Sequence, residues 1–300
     1  MSNRKKCDTK IYGRAVVDGV MIKHQENYAV AIRKANGEIE VELENYQGIL
    51  NESKITRIPF LRGIIKLIDS LILGSRCLEL SSKIGEEEGN DSKGRKVLNT
   101  LVILFSIIAA GAIFIFLPNY ISSLFDGYIR NQSLMAIFEN ILRIVVFIFY
   151  IWGISLMEDV RKLLKYHGAE NKCINCLERG RPLTLRNVMR SKRQNKGCET
   201  SFVFLVAFIS IICFGFVTLE NPIYRAFIRL LIIPLAAAII YEIILLSKKS
   251  DNIFFRLLSL PDLLFQNFIT REPEEEMVEV SIAAVEAVFD WKQHLEEKSE

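Results

Sequence analysis

Residues 97–117, V-L-N-T-L-V-I-L-F-S-I-I-A-A-G-A-I-F-I-F-L, run for 21 positions without a charge and stop at Pro118. About 20 apolar residues in a helix cross a hydrocarbon core of roughly 30 Å. This window therefore predicts a transmembrane helix, and the rest of the chain is read around it. Three further apolar windows follow, at 141–157, 201–219 and 226–247. The second carries Arg143 near its start. The fourth carries Arg229, Pro234 and Glu242, and its proline predicts a kink of the kind membrane helices tolerate.

Charge between the windows orients them. Ser92–Lys96 places three basic residues before the first window, and the 118–140 loop holds only Arg130. The 158–200 loop holds about eleven Lys and Arg, and Lys248-Lys249 follow the fourth window. By the positive-inside rule both termini and the 158–200 loop face the cytoplasm. The expected fold is mainly α, a polytopic membrane protein with four transmembrane helices. The expected divisions are 1–58, a small cytoplasmic β-rich unit; 59–96, an amphipathic helix and a polar linker; 97–247, the four-span region; and 248–300, cytoplasmic amphipathic helices.

In the β-rich unit, 28–32 is an apolar run and 38–43 alternates E-I-E-V-E-L, the period of a half-buried strand. Asn36-Gly37 between them signals a type I′ hairpin. A third strand spans 15–22, interrupted by Gly19. Pro59 opens a helix to about Ser82, with a wide apolar arc and a thin stripe of Arg62, Lys66, Asp69 and Arg76. That arc suits a helix in the membrane interface or one packed on the β unit. Residues 253–268, broken by Pro261, suit two short amphipathic helices along the inner surface. From Pro273 the spacing of Met277, Val280, Ala284, Val288, Trp291 and Leu295 predicts an amphipathic helix with acids at its start.

The chemistry-bearing stretch is Lys165–Cys176, K-Y-H-G-A-E-N-K-C-I-N-C. His167 and Glu170 share a helix face at i and i+3, a spacing that can hold a divalent metal as in H-x-x-E-H motifs. Here Asn171 replaces the final histidine. Cys173 and Cys176, with Cys198 and His167, offer a Cys₃His zinc site instead; the alternative is two cysteines that only pack. In a cytoplasmic setting structural disulfides are not expected. Glu242, an ionisable residue inside a span, is a further candidate, or a carboxylate at the headgroups. The basic run Arg186–Lys196 lacks interleaved aromatics. That argues against nucleic-acid stacking and for contact with anionic inner-leaflet lipid.

Several stretches together resemble the YqhQ-like bacterial membrane proteins, the family of domain of unknown function 1385. They are I-Y-G-R-A-V-V-D-G-V-M (11–21), I-P-F-L-R-G (58–63), L-I-D-S-L-I-L-G (67–74), Y-H-G-A-E-N-K (166–172), C-E-T-S-F (198–202), Y-E (241–242) and T-R-E-P (270–273). Members of that family are described as multi-spanning and as predicted metal-dependent enzymes. The resemblance implies a divalent metal, zinc for instance, held by His167 and Glu170, with Asn171 departing from the pattern. Arg62, Asp69, Cys198 and Glu242 fall in the same stretches. Two functions follow as expectations. One is a metal-dependent, hydrolase-like membrane enzyme with Glu170 as ligand or general base. The other is a non-catalytic membrane scaffold that docks protein partners.

Overall fold

The computed structural model describes residues 9–49, 58–85, 117–118, 120–125, 127–129, 131–195, 198–217, 221–249 and 260–296. Residues 97–116 of the first window and the linker at 86–95 lie outside the described residues. The chain is mainly helical with a small N-terminal antiparallel sheet. It divides into two compact units. The first comprises 1–85, 155–206 and 234–300; the second comprises 86–154 and 207–233.

The first unit is built on a four-stranded meander, β1 (Ile11–Val16), β2 (Gly19–His24), β3 (Asn27–Arg33) and β4 (Ile39–Asn45), in the order 1-2-3-4. The expected strand at 15–22 is in fact the β1–β2 hairpin. Chain reversal takes only Val17-Asp18, and Asp18 adopts a left-handed conformation (φ 54°). Gly19 opens β2 because a Cβ there would sit 2.1 Å from the carbonyl oxygen of Ala31. The β3–β4 turn is not type I′, which needs positive φ at both central residues. Of Asn36 and Gly37 only Gly37 has it (φ 89°), and Asn36 Oδ1 instead accepts from the Glu38 amide at 3.0 Å.

Alternation sorts the strand residues between two cores. Val16, Met21, Tyr28, Val30 and Ile32 face α1 (Leu61–Gly85), which covers them with Leu73, Cys77, Leu80 and Ile84. The helix expected at 59–82 is thus packed on the β unit. It still exposes Leu61, Ile68, Leu71 and Leu78 at helical spacing. On the other face Ile11, Val20, Ile22 and Ala31 pack against two helices. α3 (Glu158–Glu178) brings Tyr166, Ala169, Cys173 and Ile174; α8 (Glu275–Val288) brings Met277, Val278, Val280, Ala284 and Val285. The amphipathic C-terminal helix therefore covers the sheet, and it ends at Phe289. A separate short helix, α9 (Trp291–Glu296), carries Trp291 and Leu295. β4 extends past the cover of both helix layers, so its alternating residues are exposed on both faces and its glutamates guard a free edge.

The supposed basic loop at 158–200 is mostly α3 and the short α4 (Leu185–Met189). Further helices among the described residues are α2 (Gln132–Ile154), α5 (Glu199–Phe214), α6 (Pro222–Lys249) and α7 (Leu260–Ile269). α2 starts nine residues before the expected window, so Arg143 lies mid-helix and pairs with Glu139 one turn back. α5 ends at Phe214, short of the expected 219, and its 16 residues rise only about 24 Å. α6 runs through Pro234. Among the described residues two helices are long and apolar enough to cross a membrane, over Leu134–Ile154 and Phe227–Leu246. In the second unit Asn140 of α2 donates to the Ile212 carbonyl at 3.0 Å, and Phe147 stacks on Phe208 with ring centroids 5.9 Å apart.

One close approach tests this packing. Gly168 of α3 lies under the chain that leaves α7, and a Cβ there would sit 2.0 Å from the Arg271 carbonyl oxygen. Gly168→Ala should cost about 1–3 kcal/mol, read as a fall of roughly 2–10 °C in the unfolding temperature. Gly153→Ala, where a Cβ meets nothing within 4 Å, should leave it unchanged or raise it.

Candidate functional site

α3 is buried on every side over twelve consecutive residues, Tyr166–Leu177. A helix enclosed in this way is ordinarily apolar all round. This one carries His167, Glu170, Asn171, Lys172 and Asn175, and each has to be matched by a partner or carry a cost. Lys172 donates to the Met189 carbonyl (2.8 Å) and to Glu272 (2.6 Å). Asn175 donates to the carbonyls of Lys192 (2.7 Å) and Gln194 (2.9 Å). These two stitch the segment after α4, and the T-R-E-P turn, onto α3. The Asn171 side chain is fully buried and neither of its polar atoms has a partner.

His167 sits between two elements. Its Nδ1 lies 2.8 Å from the Ile269 carbonyl at the end of α7, and its Nε2 lies 2.9 Å from Cys198 Sγ. A carbonyl only accepts, so Nδ1 carries the proton and Nε2 is left to accept from the thiol. Cys198 immediately precedes α5, and its carbonyl accepts the Phe202 amide at 3.1 Å in the first turn. Glu170 Oε2 lies 3.7 Å from His167 Nε2 and has no hydrogen-bond partner. Glu170 reaches this place because residue 13 of β1 is glycine: a Cβ there would stand 2.4 Å from Glu170 Cγ. Burial pushes the Glu170 carboxyl up to about 8, against the opposing pull of His167.

Next to this trio Glu199 forms an ion pair with Lys66 of α1, whose ammonium also lies 4.7 Å from the Tyr12 ring centroid. Burial alone would raise the Glu199 carboxyl, but Lys66 holds it below the ordinary range. Arg14 donates to the Ser70 carbonyl (2.8 Å) and hydroxyl and lies against Gly74, locking β1 onto α1. A small polar cavity, lined by Tyr12, Gly13, Glu170, Asn195, Cys198 and Glu199 among others, has a volume of about 10 Å3, the room of one water. Asn195 Oδ1 is a second buried oxygen without a partner on it.

Of the residues singled out in the sequence, His167, Glu170 and Cys198 come together. Cys173 and Cys176 lie apart from them, in the core between the sheet, α3 and α8. Cys176 Sγ faces the carbonyls of Arg181 and Pro182, and burial pushes both thiols up. Glu242 accepts from Arg62 through both oxygens and from the Phe60 amide at 3.0 Å. Asp69 accepts from the Tyr46 hydroxyl and the Ile49 amide, both at 3.0 Å, and pins the chain after β4. Both are structural ties in this arrangement. The sequence reading missed Gly13, Arg14, Lys66, Lys172, Glu199 and Glu272. All but Lys66 lie inside stretches that carry the family resemblance, the one signal that could have found them.

A divalent metal does not fit the cluster as it stands. Zn–N of about 2.0–2.1 Å and Zn–S of about 2.3 Å at tetrahedral angles separate the two ligand atoms by about 3.5 Å. His167 Nε2 and Cys198 Sγ are 2.9 Å apart, a hydrogen-bonding distance. Among the described residues no three His, Cys, Asp or Glu side chains converge as a metal would require.

The raised Glu170 carboxyl has a signature. It is neutral in both states below about 4.5; above that the unfolded chain ionises while the folded one stays protonated up to about 8. Wild type should therefore lose stability relative to Glu170→Gln as pH rises from about 4.5 to 8, with no further divergence above. Paired thermal melts across this range read the difference. Parallel curves would refute the assignment.

Comparison with known proteins comes out on one side. No solved structure matches the chain. The Uncharacterized protein YqhQ of Bacillus subtilis (strain 168) is 28% identical over 283 residues, covering 90% of this chain and 89% of that protein. The family described as Protein of unknown function (DUF1385) matches residues 58–291. This span takes in α1, α3, the start of α5 and the T-R-E-P turn, and the chain belongs to that family.

Proposed function

We propose that this protein is a multi-pass enzyme of the bacterial cell membrane whose active site is the cleft between β1, α3 and the start of α5. The observation that carries the enzymatic part is Glu170. An unpartnered buried polar atom costs about 1–3 kcal/mol, and folded proteins hold few of them. Glu170 Oε2 is such an atom, 1% exposed, beside an imidazole and on a polar cavity. A buried protonated carboxyl, an imidazole oriented by a backbone carbonyl and a thiol around one cavity are the components of proton-transfer and nucleophilic chemistry.

The membrane part rests on exposed apolar surface. Over Leu134–Ile154 and Phe227–Leu246 only 17% and 28% of the apolar window is buried, unlike the core helix of a soluble domain. Phe149, Trp152, Leu230 and Leu235 all point outward, and lipid is the solvent that such a surface suits. With the windows at 97–117 and 201–219 the count is four spans. The loop charges place both termini and α3 in the cytoplasm, and the basic run 186–196 against anionic inner-leaflet lipid.

Alkaline phosphatase fused after Gly127 or Asn221 should be active, and after Arg190 or Glu300 inactive. Activity at Arg190 would overturn the topology. For the enzyme, small-molecule and lipid profiles of a deletion strain should return to normal with the wild-type chain. They should stay perturbed with folded, membrane-inserted Glu170→Gln. Full restoration by that variant would sink the assignment.

A further inference from the structure

We infer that Cys198 is a peroxide-reactive thiol, with His167 as its proton acceptor and the adjoining cavity as the seat of a single hydroperoxide. This rests on reading the cleft as the functional site and names its nucleophile and the class of molecule it meets.

Three independent placements distinguish Cys198 from the other cysteines. First, its Sγ lies 2.9 Å from His167 Nε2, and the Ile269 carbonyl at 2.8 Å fixes the opposite ring nitrogen as the protonated one. Nucleophile, base and orienting group thus follow one another as in other activated thiols. Second, Cys198 stands at the start of the 16-residue α5, where the free amides and helix dipole favour a thiolate. Third, it lines a cavity that also bears two unpartnered oxygens, Glu170 Oε2 and Asn195 Oδ1, on side chains 1% and 4% exposed. Among the described residues these oxygens have no protein group to bond, and their side chains line the cavity.

The cavity sets the size of any guest. About 10 Å3 is the room of one water and admits no acyl chain, so of the oxidants that could meet the thiol only the smallest, hydrogen peroxide taking the place of that water, comes near the size of the site. Both unpartnered oxygens can receive the hydrogen bonds that HOOH donates. In the reaction His167 Nε2 takes the Sγ proton and the thiolate attacks one peroxide oxygen. The S–O bond forms as the O–O bond breaks, and the departing hydroxide takes the proton back from His167. The sulfur is oxidised by two electrons to the sulfenic acid, and the peroxide is reduced to water. Cys77, Cys173 and Cys176 are buried in apolar cores and have no imidazole beside them.

The test uses the full-length protein in detergent or nanodiscs. It is exposed to hydrogen peroxide in the folded state, treated with catalase, then unfolded in dimedone and digested for mass spectrometry. Cys198 should be sulfenylated at least about tenfold faster than Cys77, Cys173, Cys176 or Cys213. His167→Gln should slow this at neutral pH and move the rate-versus-pH curve upward, a shift that mere loosening of the fold would not produce. Labelling of Cys198 no faster than of Cys173 in the wild type overturns the proposal, whatever the variant does. So does a near-equimolar metal that is lost in Cys198→Ser, because that thiolate would be a ligand. Failure here leaves Glu170 and the profiling result untouched, so the two readings fall separately.

Discussion

Everything in the first unit depends on a polar helix being enclosed on all sides. α3 lies against β1 and β2, against α8, and under the chain leaving α7. Enclosing Ala169, Ile174 and Leu177 stabilises the fold by the ordinary transfer of apolar surface. Enclosing His167, Glu170, Lys172 and Asn175 costs free energy unless each finds a partner. Partners for three of them come from segments distant in the chain: Ile269, Glu272, Lys192, Gln194 and Cys198. The fold is therefore as much a set of demands made by α3 as a sandwich of sheet and helices. Gly13 and Gly168 meet those demands by omission, since a single Cβ at either position would occupy the space of a carboxyl or a carbonyl.

The long-range pairs explain why separate short stretches carry the family resemblance. Buried Lys172 reaches Glu272, 100 residues away and itself exposed, and Arg62 and Glu242, 180 apart, form a partly buried pair. His167 and Cys198 make a third. In each case one stretch supplies the charge or the ring and another supplies its complement. A chain that kept one half without the other would leave a buried group unmet, at about 1–3 kcal/mol or more if charged.

Local pattern revealed the elements more readily than their roles. A continuous apolar run found β3, period-2 alternation found β4, and 3.6-period spacing found α1 and α8. Apolar length marked the windows at 141–157 and 226–247, where the helices run over 132–154 and 222–249. What escaped was anything decided by a neighbour distant in sequence. The turn at Val17-Asp18 needs only two residues and a left-handed aspartate, so β1 and β2 blurred into one interrupted strand. β4 alternates as a half-buried strand does, yet among the described residues only Ile39 at its start is partly covered and the rest is exposed. α8 has the amphipathic face of an interfacial helix, and only the sheet shows what that face meets. At the site, i and i+3 spacing rightly joined His167 with Glu170. The same spacing in Cys173 and Cys176 suggested ligands, where burial instead gave two core thiols.

The contrast among three cysteines is the sharpest form of that limit. Cys173, Cys176 and Cys198 are all buried, and one residue type at one degree of burial has no fixed chemistry. Burial by itself favours the neutral thiol, so the two in the α3 core remain protonated packing groups. Cys198 differs in what burial places beside it: a nitrogen lone pair whose other ring nitrogen is already committed, the start of a helix, and a cavity with oxygens to spare. Apolar enclosure then acts in the opposite sense. It strengthens the thiol–imidazole hydrogen bond by removing competing water and restricts access to guests as small as water. The reactivity proposed for this position therefore depends on the enclosure of α3. The same enclosure, twelve residues long, leaves the neighbouring thiols inert.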